Sequence, residues 1–250
     1  WRTFGRFARN KTTLAQPDYF NNVASSGTGA VGTTPFTQHT AALDNTFVLS
    51  PTTLLSVRYG FARWYQLRQT RSYGFDQREV GLPASLVSQF QVPVFPTTNV
   101  EQYAALGGQS VLDNGNDTHS LLASVTNTIG RHNLKWGGDV RLKRINFFNL
   151  GKGGGVYNYT RVFTRGPNPN VFTNTGSAVA SLLLGIPASG NVPSTVGTAM
   201  QNYYYGFYLQ DDIRLTTKLT MNIGLRYETE SPYTERYNQM NAFDVDVASP

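Results

Sequence analysis

From Tyr203 to Glu228 the chain reads YYYGFYLQDDIRLTTKLTMNIGLRYE, two alternating segments around a short polar turn. Leu219, Met221, Ile223, Leu225 and Tyr227 share one face of the second segment, and Thr220, Asn222, Gly224, Arg226 and Glu228 share the other. In the first, Tyr205, Phe207, Leu209 and Ile213 lie opposite Gly206, Tyr208, Gln210, Asp212 and Arg214, with Asp211 the one charge on the oily side. Side chains of a strand alternate between faces, so this dyad repeat predicts strands with one apolar and one polar side. Spans of about ten residues with aromatic ends suit strands that cross an outer membrane, lipid on one side and a wet lumen on the other.

The same alternation recurs and predicts seven crossings: Trp1 to Arg9, Thr37 to Leu49, Leu54 to Tyr65, His119 to Ile129, Leu134 to Leu142, Tyr203 to Arg214, and Leu219 to Glu228. Short turns are expected at Ser50 to Thr53, Gly130 to Asn133 and Thr216 to Lys218, and long Gly-, Pro-, Ser-, Thr- and Asn-rich loops at Asn10 to Phe36, Gln66 to Asn116 and Asn146 to Met200. Short periplasmic turns facing long extracellular loops are the asymmetry of outer-membrane barrels. Parity assigns Val156 to Phe163 to the last long loop as a small hairpin, since counting it as a crossing would move the Thr216 to Lys218 turn to the long-loop side. Gly176 to Leu184 reads as a short loop helix, capped by Asn174 or Thr175 and stopped by Gly185 and Pro187.

Composition agrees. Charged residues make up 14% of the 250, well below the roughly 25% of a soluble domain, while no apolar run approaches the roughly 18 residues of a membrane helix. Twenty-four glycines, fourteen tyrosines and fifteen phenylalanines fit aromatic-rich strands joined by loops. The expected fold is all-β: an antiparallel transmembrane β-barrel in part, residues 1–250 forming one incomplete barrel domain. C-terminal strands are expected to lie outside the sequence, because an odd number of crossings with open edges leaves backbone groups unsatisfied in lipid; a signal peptide is expected outside it as well, since the chain starts at Trp1 with no charged segment followed by an apolar one. Trp64, Tyr65, Tyr203 to Tyr205 and Tyr227 are expected in the outer aromatic girdle, and Trp136 at the periplasmic interface.

Candidate chemistry is sparse. Without cysteine there is no disulfide, thiol nucleophile or zinc-thiolate site. His39, His119 and His132 show no metal-ligand spacing, no glycine-flanked nucleophile elbow accompanies Ser, His and Asp, and Gly151 to Gly155 lacks the phosphate-loop spacing. Asp113-Asn114-Gly115-Asn116-Asp117 lacks the calcium-loop pattern and reads as a polar turn. No enzyme activity and no cofactor is expected. The net charge of +6 comes from scattered basic residues, which argues against nucleic acid. The constellation that stands out is a lumen wall of Arg58, Lys135, Asp139, Arg141, Lys143, Gln210, Asp212, Arg226 and Glu228, suited to holding a plug or lining a substrate route, or to pairing strand to strand. Near the outer rim, Arg63, Arg68, Arg71 and Arg144 are placed to meet lipopolysaccharide phosphates.

Gly206-Phe207-Tyr208-Leu209-Gln210-Asp211-Asp212, Leu219 to Glu228 and Gly130 to Asp139 resemble barrel segments of TonB-dependent outer-membrane receptors, most of all the Oar-like branch. Gly81 to Leu86 and Ala180 to Gly185 resemble loop blocks of that branch, although an acidic residue often stands where Ser181 is here. The likeness runs from about Thr37 onward. It implies a barrel of about twenty-two strands with a plug in the lumen, energised by TonB, and often an N-terminal carboxypeptidase-regulatory-like β-domain; neither plug nor TonB box is visible in the sequence. The expected function is part of a receptor in the bacterial outer membrane that binds an extracellular nutrient and imports it to the periplasm. Its expected partners are outer-membrane lipid and lipopolysaccharide, a plug domain and the TonB complex through parts of the chain not in this sequence, and an unidentified extracellular ligand. The alternatives are a structural or adhesive outer-membrane protein whose long loops bind surface polymers, and a secreted β-sandwich lectin, whose apolar stripe would need a facing sheet.

Overall fold

The computed structural model describes residues 1–18, 21–27, 31–108, 111–168 and 175–241. One antiparallel sheet dominates, built from β1 (Arg2–Leu14), β2 (Thr34–Ser50), β3 (Thr53–Arg68), β5 (Val111–Ile129), β6 (His132–Leu150), β9 (Thr198–Arg214) and β10 (Thr220–Glu230), hydrogen-bonded in that order. The two-residue β11 (Thr234–Glu235) pairs with the upper part of β9, beyond the end of β10. These strands are the seven expected crossings in the expected order.

They are longer than the alternation suggested. Both β5 and β6 run for 19 residues, nearly twice the roughly ten that a tilted strand needs to cross the hydrocarbon. The pairing therefore continues through segments whose Asn, Gly and Thr content reads as loop. Asp113 to Asp117 is part of β5, not a polar turn: each residue has a partner on β3 and on β6. Above the membrane plane a paired backbone needs no burial, so polar side chains do not end a strand there.

Turns at the other end are tight. β5 and β6 are joined by Gly130 and Arg131 alone, with Ile129 opposite His132 and Gly130 at φ +60, the geometry that a type II′ hairpin reserves for glycine. His132 and Asn133, expected in the turn, are strand residues. Pro51 and Thr52 join β2 to β3, and the turn after β9 closes through Leu215 and Thr216 amides donating to the Leu219 carbonyl at 3.0 and 3.1 Å.

On the long-loop side, the described residues of 69–108 and 151–197 fold against each other into a cap. β4 (Thr97–Val100) runs parallel to β7 (Val156–Tyr159), and β7 is antiparallel to β8 (Ser189–Asn191). Val156 to Phe163 is thus in the loop, as expected, but the small hairpin is not its own: only Val156–Tyr159 is strand, paired with both neighbours, and Arg161–Phe163 is a 3-10 turn. Two short helices complete the cap, α1 (Ala84–Val87) and α2 (Ala178–Leu183). Ser177, not Thr175, caps α2, its hydroxyl accepting from the Ala180 amide at 3.4 Å; Asn174 lies outside the described residues. Gly185 at φ +69 ends the helix. The packed core of the described residues also sits here, Val92, Val94, Val111 and Leu150 with Phe148 against them, and the amide of the buried Gln77 donates to the Val94 carbonyl at 2.7 Å.

No such core lies along the lower half of the sheet. Met221 and Ile223 remain 42% and 59% exposed, so among the described residues no second protein layer covers the apolar stripe, as a sandwich would require.

Candidate functional site: the two faces of the barrel wall

Directly paired residues in an antiparallel sheet share a face, so the register sorts every strand residue. Arg58 pairs with Asp44 and Leu122, Leu122 with Asp139, and Asp139 with Gly206, which faces Glu228. Lys135 pairs with Gln210, Asn133 with Asp212, and Tyr208 with Arg226. Arg141 and Lys143 follow Asp139 at spacing two. All nine expected lumen residues thus lie on one face, and a hollow of about 400 Å³ opens there among Arg58, Lys135, Asp139 and Arg226.

Within this wall the charges are largely paired. Arg58 donates through Nε to Asp44 at 2.7 Å, Arg141 Nε to Asp139 at 3.1 Å, Lys143 Nζ to Glu230 at 2.6 Å, and the Gln210 amide to Asp212 at 3.1 Å. Arg226 and Glu228 form a further ion pair. Tyr204 ties the pairs together: the Arg141 guanidinium lies over its ring at 4.9 Å and Arg226 reaches its hydroxyl at 3.4 Å. Lys135 is different, since among the described residues it makes no ion pair. It contributes an uncompensated ammonium to the hollow.

Asp44, Asn202 and Glu230 belong to this wall and were not singled out from the sequence; Tyr204, expected in the girdle with Tyr203 and Tyr205, pairs with Arg141 and Glu230 and so turns inward. Glu230 was within reach, because it continues the alternation of Arg226 and Glu228 past the expected strand end. Asp44 was not, because its link to Arg58 appears only once β2 and β3 are in register.

The opposite face is apolar for most of its height. Trp1, Phe47, Leu55, Val125, Trp136 and Leu209 form one level of it, and Phe7, Ala41, Phe61, His119, Leu142 and Tyr203 another. On β9 the span from Tyr203 to Ile213 is about eleven residues, close to the roughly nine to eleven of a spanning strand. Asp211, the exception, lies on this face near the short turns with its Oδ2 2.6 Å from His132 Nδ1; the neighbouring strand supplies a polar partner where the wall meets water.

Of the expected girdle, Tyr203 and Tyr205 stack on this face at 6.2 Å, and Tyr227 and Trp136 share it through Phe207 and Leu209. Trp64 does not. It has the parity of Arg58, so alternation turns it to the lumen side, where it contacts Phe36 at 6.1 Å. Tyr65 faces outward but stands above a charged level containing Arg63 and Arg144, beyond the apolar band. Tyr59 and Phe61, with His119 against them, occupy the height at which Trp64 and Tyr65 were expected. Of the four rim arginines, Arg63 and Arg144 face outward, Arg68 has the opposite parity, and Arg71 pairs with Asp18 at 3.0 Å.

A sheet with a bare apolar outer face, a charged inner face, short turns at one end and a folded cap at the other defines an integral outer-membrane β-barrel wall. The family model described as outer membrane beta barrel domain matches residues 1–249, and the chain belongs to that family. Its place is the bacterial outer membrane. No curated protein and no solved structure matches it.

Proposed function

We propose that this wall is part of a TonB-dependent receptor that captures an extracellular nutrient and admits it to the periplasm. The observation that carries the reading is the inner face, where ion pairs and Tyr204 surround a hollow of about 400 Å³ and Lys135 brings a charge with no ion-pair partner. Lys135 is exposed on that face, so its ammonium stays solvated and free to meet a plug carboxylate or the anionic group of a passing solute. The resemblance of Gly206 to Asp212 and Leu219 to Glu228 to Oar-like receptor strands supports the same reading. We propose no enzymatic role and no nucleic-acid partner. The plug and the TonB complex would act through parts of the protein outside this sequence.

The cap favours a second reading, in which the protein is a structural or adhesive one and no transport occurs. Its loops are folded against each other, and Leu183 and Leu184 at the end of α2 are 82% and 64% exposed, an arrangement that suits contact with surface polymers. The test is epistasis in the native host grown with limiting nutrients. If the full-length protein is a receptor, its deletion impairs growth on some nutrient and adds nothing in a strain already lacking TonB. Loss of cell attachment, with uptake unchanged in either background, would contradict import and favour adhesion.

A further inference from the structure

The apolar band of the outer face ends abruptly toward the cap. One level above Phe7, Phe61 and Tyr203, the outward residues across adjacent strands are Arg9, His39, Arg63, Asp117, Arg144 and Gln201. Lys11 follows at the next outward level of β1. At the far end, the Arg236 amide donates to the Ala199 carbonyl at 2.9 Å, and Arg236 and Arg144 line a shared hollow of about 620 Å³.

These cations are poorly neutralised. Asp117 is the acid of the row, and its Oδ1 is 3.6 Å from Arg63 Nε, too long for a hydrogen bond; the Arg63 side chain stays 50% exposed. Arg9 and Arg144 make no ion pair among the described residues. Glu235, near Arg236, is committed to its own turn, accepting from the amides of Ala199, Tyr237 and Gln239 at 3.0, 2.7 and 2.9 Å.

We propose that this basic row, Arg9, Lys11, Arg63, Arg144 and Arg236, is a binding site for the headgroup phosphates of outer-leaflet glycolipid. Height selects the partner. The row lies immediately past the hydrocarbon band at the cap end, where the lipid phosphates stand, and it faces lipid instead of lumen. The cations stand on alternate strands, about 10 Å apart, with His39, Asp117 and Gln201 between them, so a phosphate is met by one or two long side chains leaning in from flanking strands, arginine through a bidentate fork. The acyl chains then run down the apolar levels below. The site depends on membrane orientation alone and not on the transport reading.

The test uses the full-length protein, purified in detergent and titrated with bis-phosphorylated lipid A and with the same lipid after enzymatic dephosphorylation, bound lipid being counted by native mass spectrometry. The phosphorylated form is expected to bind about tenfold more tightly. Arg63→Gln with Arg144→Gln abolishes most of that preference, while Arg6→Gln, on the inner face, leaves it intact. Equal binding of the two lipids by the unaltered protein overturns the proposal whether or not the variants fold. So does full preference in a double variant that still migrates as a compact barrel.

Discussion

Glu101 shows how single side chains hold the cap. Its carboxylate accepts from the Arg161 backbone amide at 3.0 Å and from the same guanidinium at 3.1 and 2.9 Å, clamping the end of β4 to the start of the next loop. The Arg161 side chain first, then its amide, hold the Glu101 carboxyl below the usual carboxylate range. A lowered folded pKa means the clamp contributes fully above the ordinary glutamate range and is lost as pH falls through the lowered value. Glu101→Gln is therefore expected to raise amide exchange in β4 and β7 at neutral pH without changing the membrane strands. In the unaltered protein the protection should persist at pH 6 and fall only in strong acid. Hydrogen exchange read by mass spectrometry checks both. None of this was legible beforehand: Glu101 and Arg161 are sixty residues apart, and nothing in either loop announces the other.

Strands and their faces were legible for a different reason. A span with lipid on one side and water on the other must alternate at every step, which is why Leu209 and Gln210, or Ile223 and Asn222, could be assigned before any register was known. The same rule makes a paired prediction on adjacent residues. Leu209→Arg, on the last apolar level before Asp211, is expected to cost roughly 1–2 kcal/mol of folding free energy in a bilayer, between the midplane and interfacial values. Gln210→Glu, one residue on and facing the lumen opposite Lys135, is expected to stay within about 0.5 kcal/mol of the parent. Denaturant titration in lipid vesicles measures both, and equal costs would mean the faces are wrongly assigned. Strand ends were less legible, because the signal is set by hydrocarbon and vanishes above it. That is how Asp113 to Asp117 passed for a turn and Trp64 for a girdle residue: past the band, polarity no longer marks facing and only parity does.

Taken together, the sheet is a wall with two open edges. β1 and β10 each have a neighbour on one side only, and β10 is exposed along its whole length. In hydrocarbon each unpaired backbone group costs several kcal/mol, so residues 1–250 expressed alone are expected not to form a monomer that resists detergent at room temperature, whereas the protein with further strands closing the edges should. Semi-native electrophoresis with and without boiling distinguishes the two. The pairing of residues across the inner face, and the cap built from two distant loops, follow from long-range register that no local pattern encodes. What local pattern does encode is the claim on which the barrel, its location and its lumen chemistry all rest, that the apolar side of this sheet meets lipid. No cysteine lies in this sequence, so once any cysteine elsewhere in the full-length protein is replaced the direct test is clean: single cysteines at Tyr203, Tyr204, Tyr205, Phe207, Tyr208, Leu209 and Gln210, in that protein reconstituted in vesicles, each carrying a spin label. Accessibility to oxygen dissolved in the bilayer should be high at 203, 205, 207 and 209 and low at 204, 208 and 210, with a water-soluble relaxant giving the reverse. Labels that show no such alternation, or odd positions shielded from both reagents, would contradict the account.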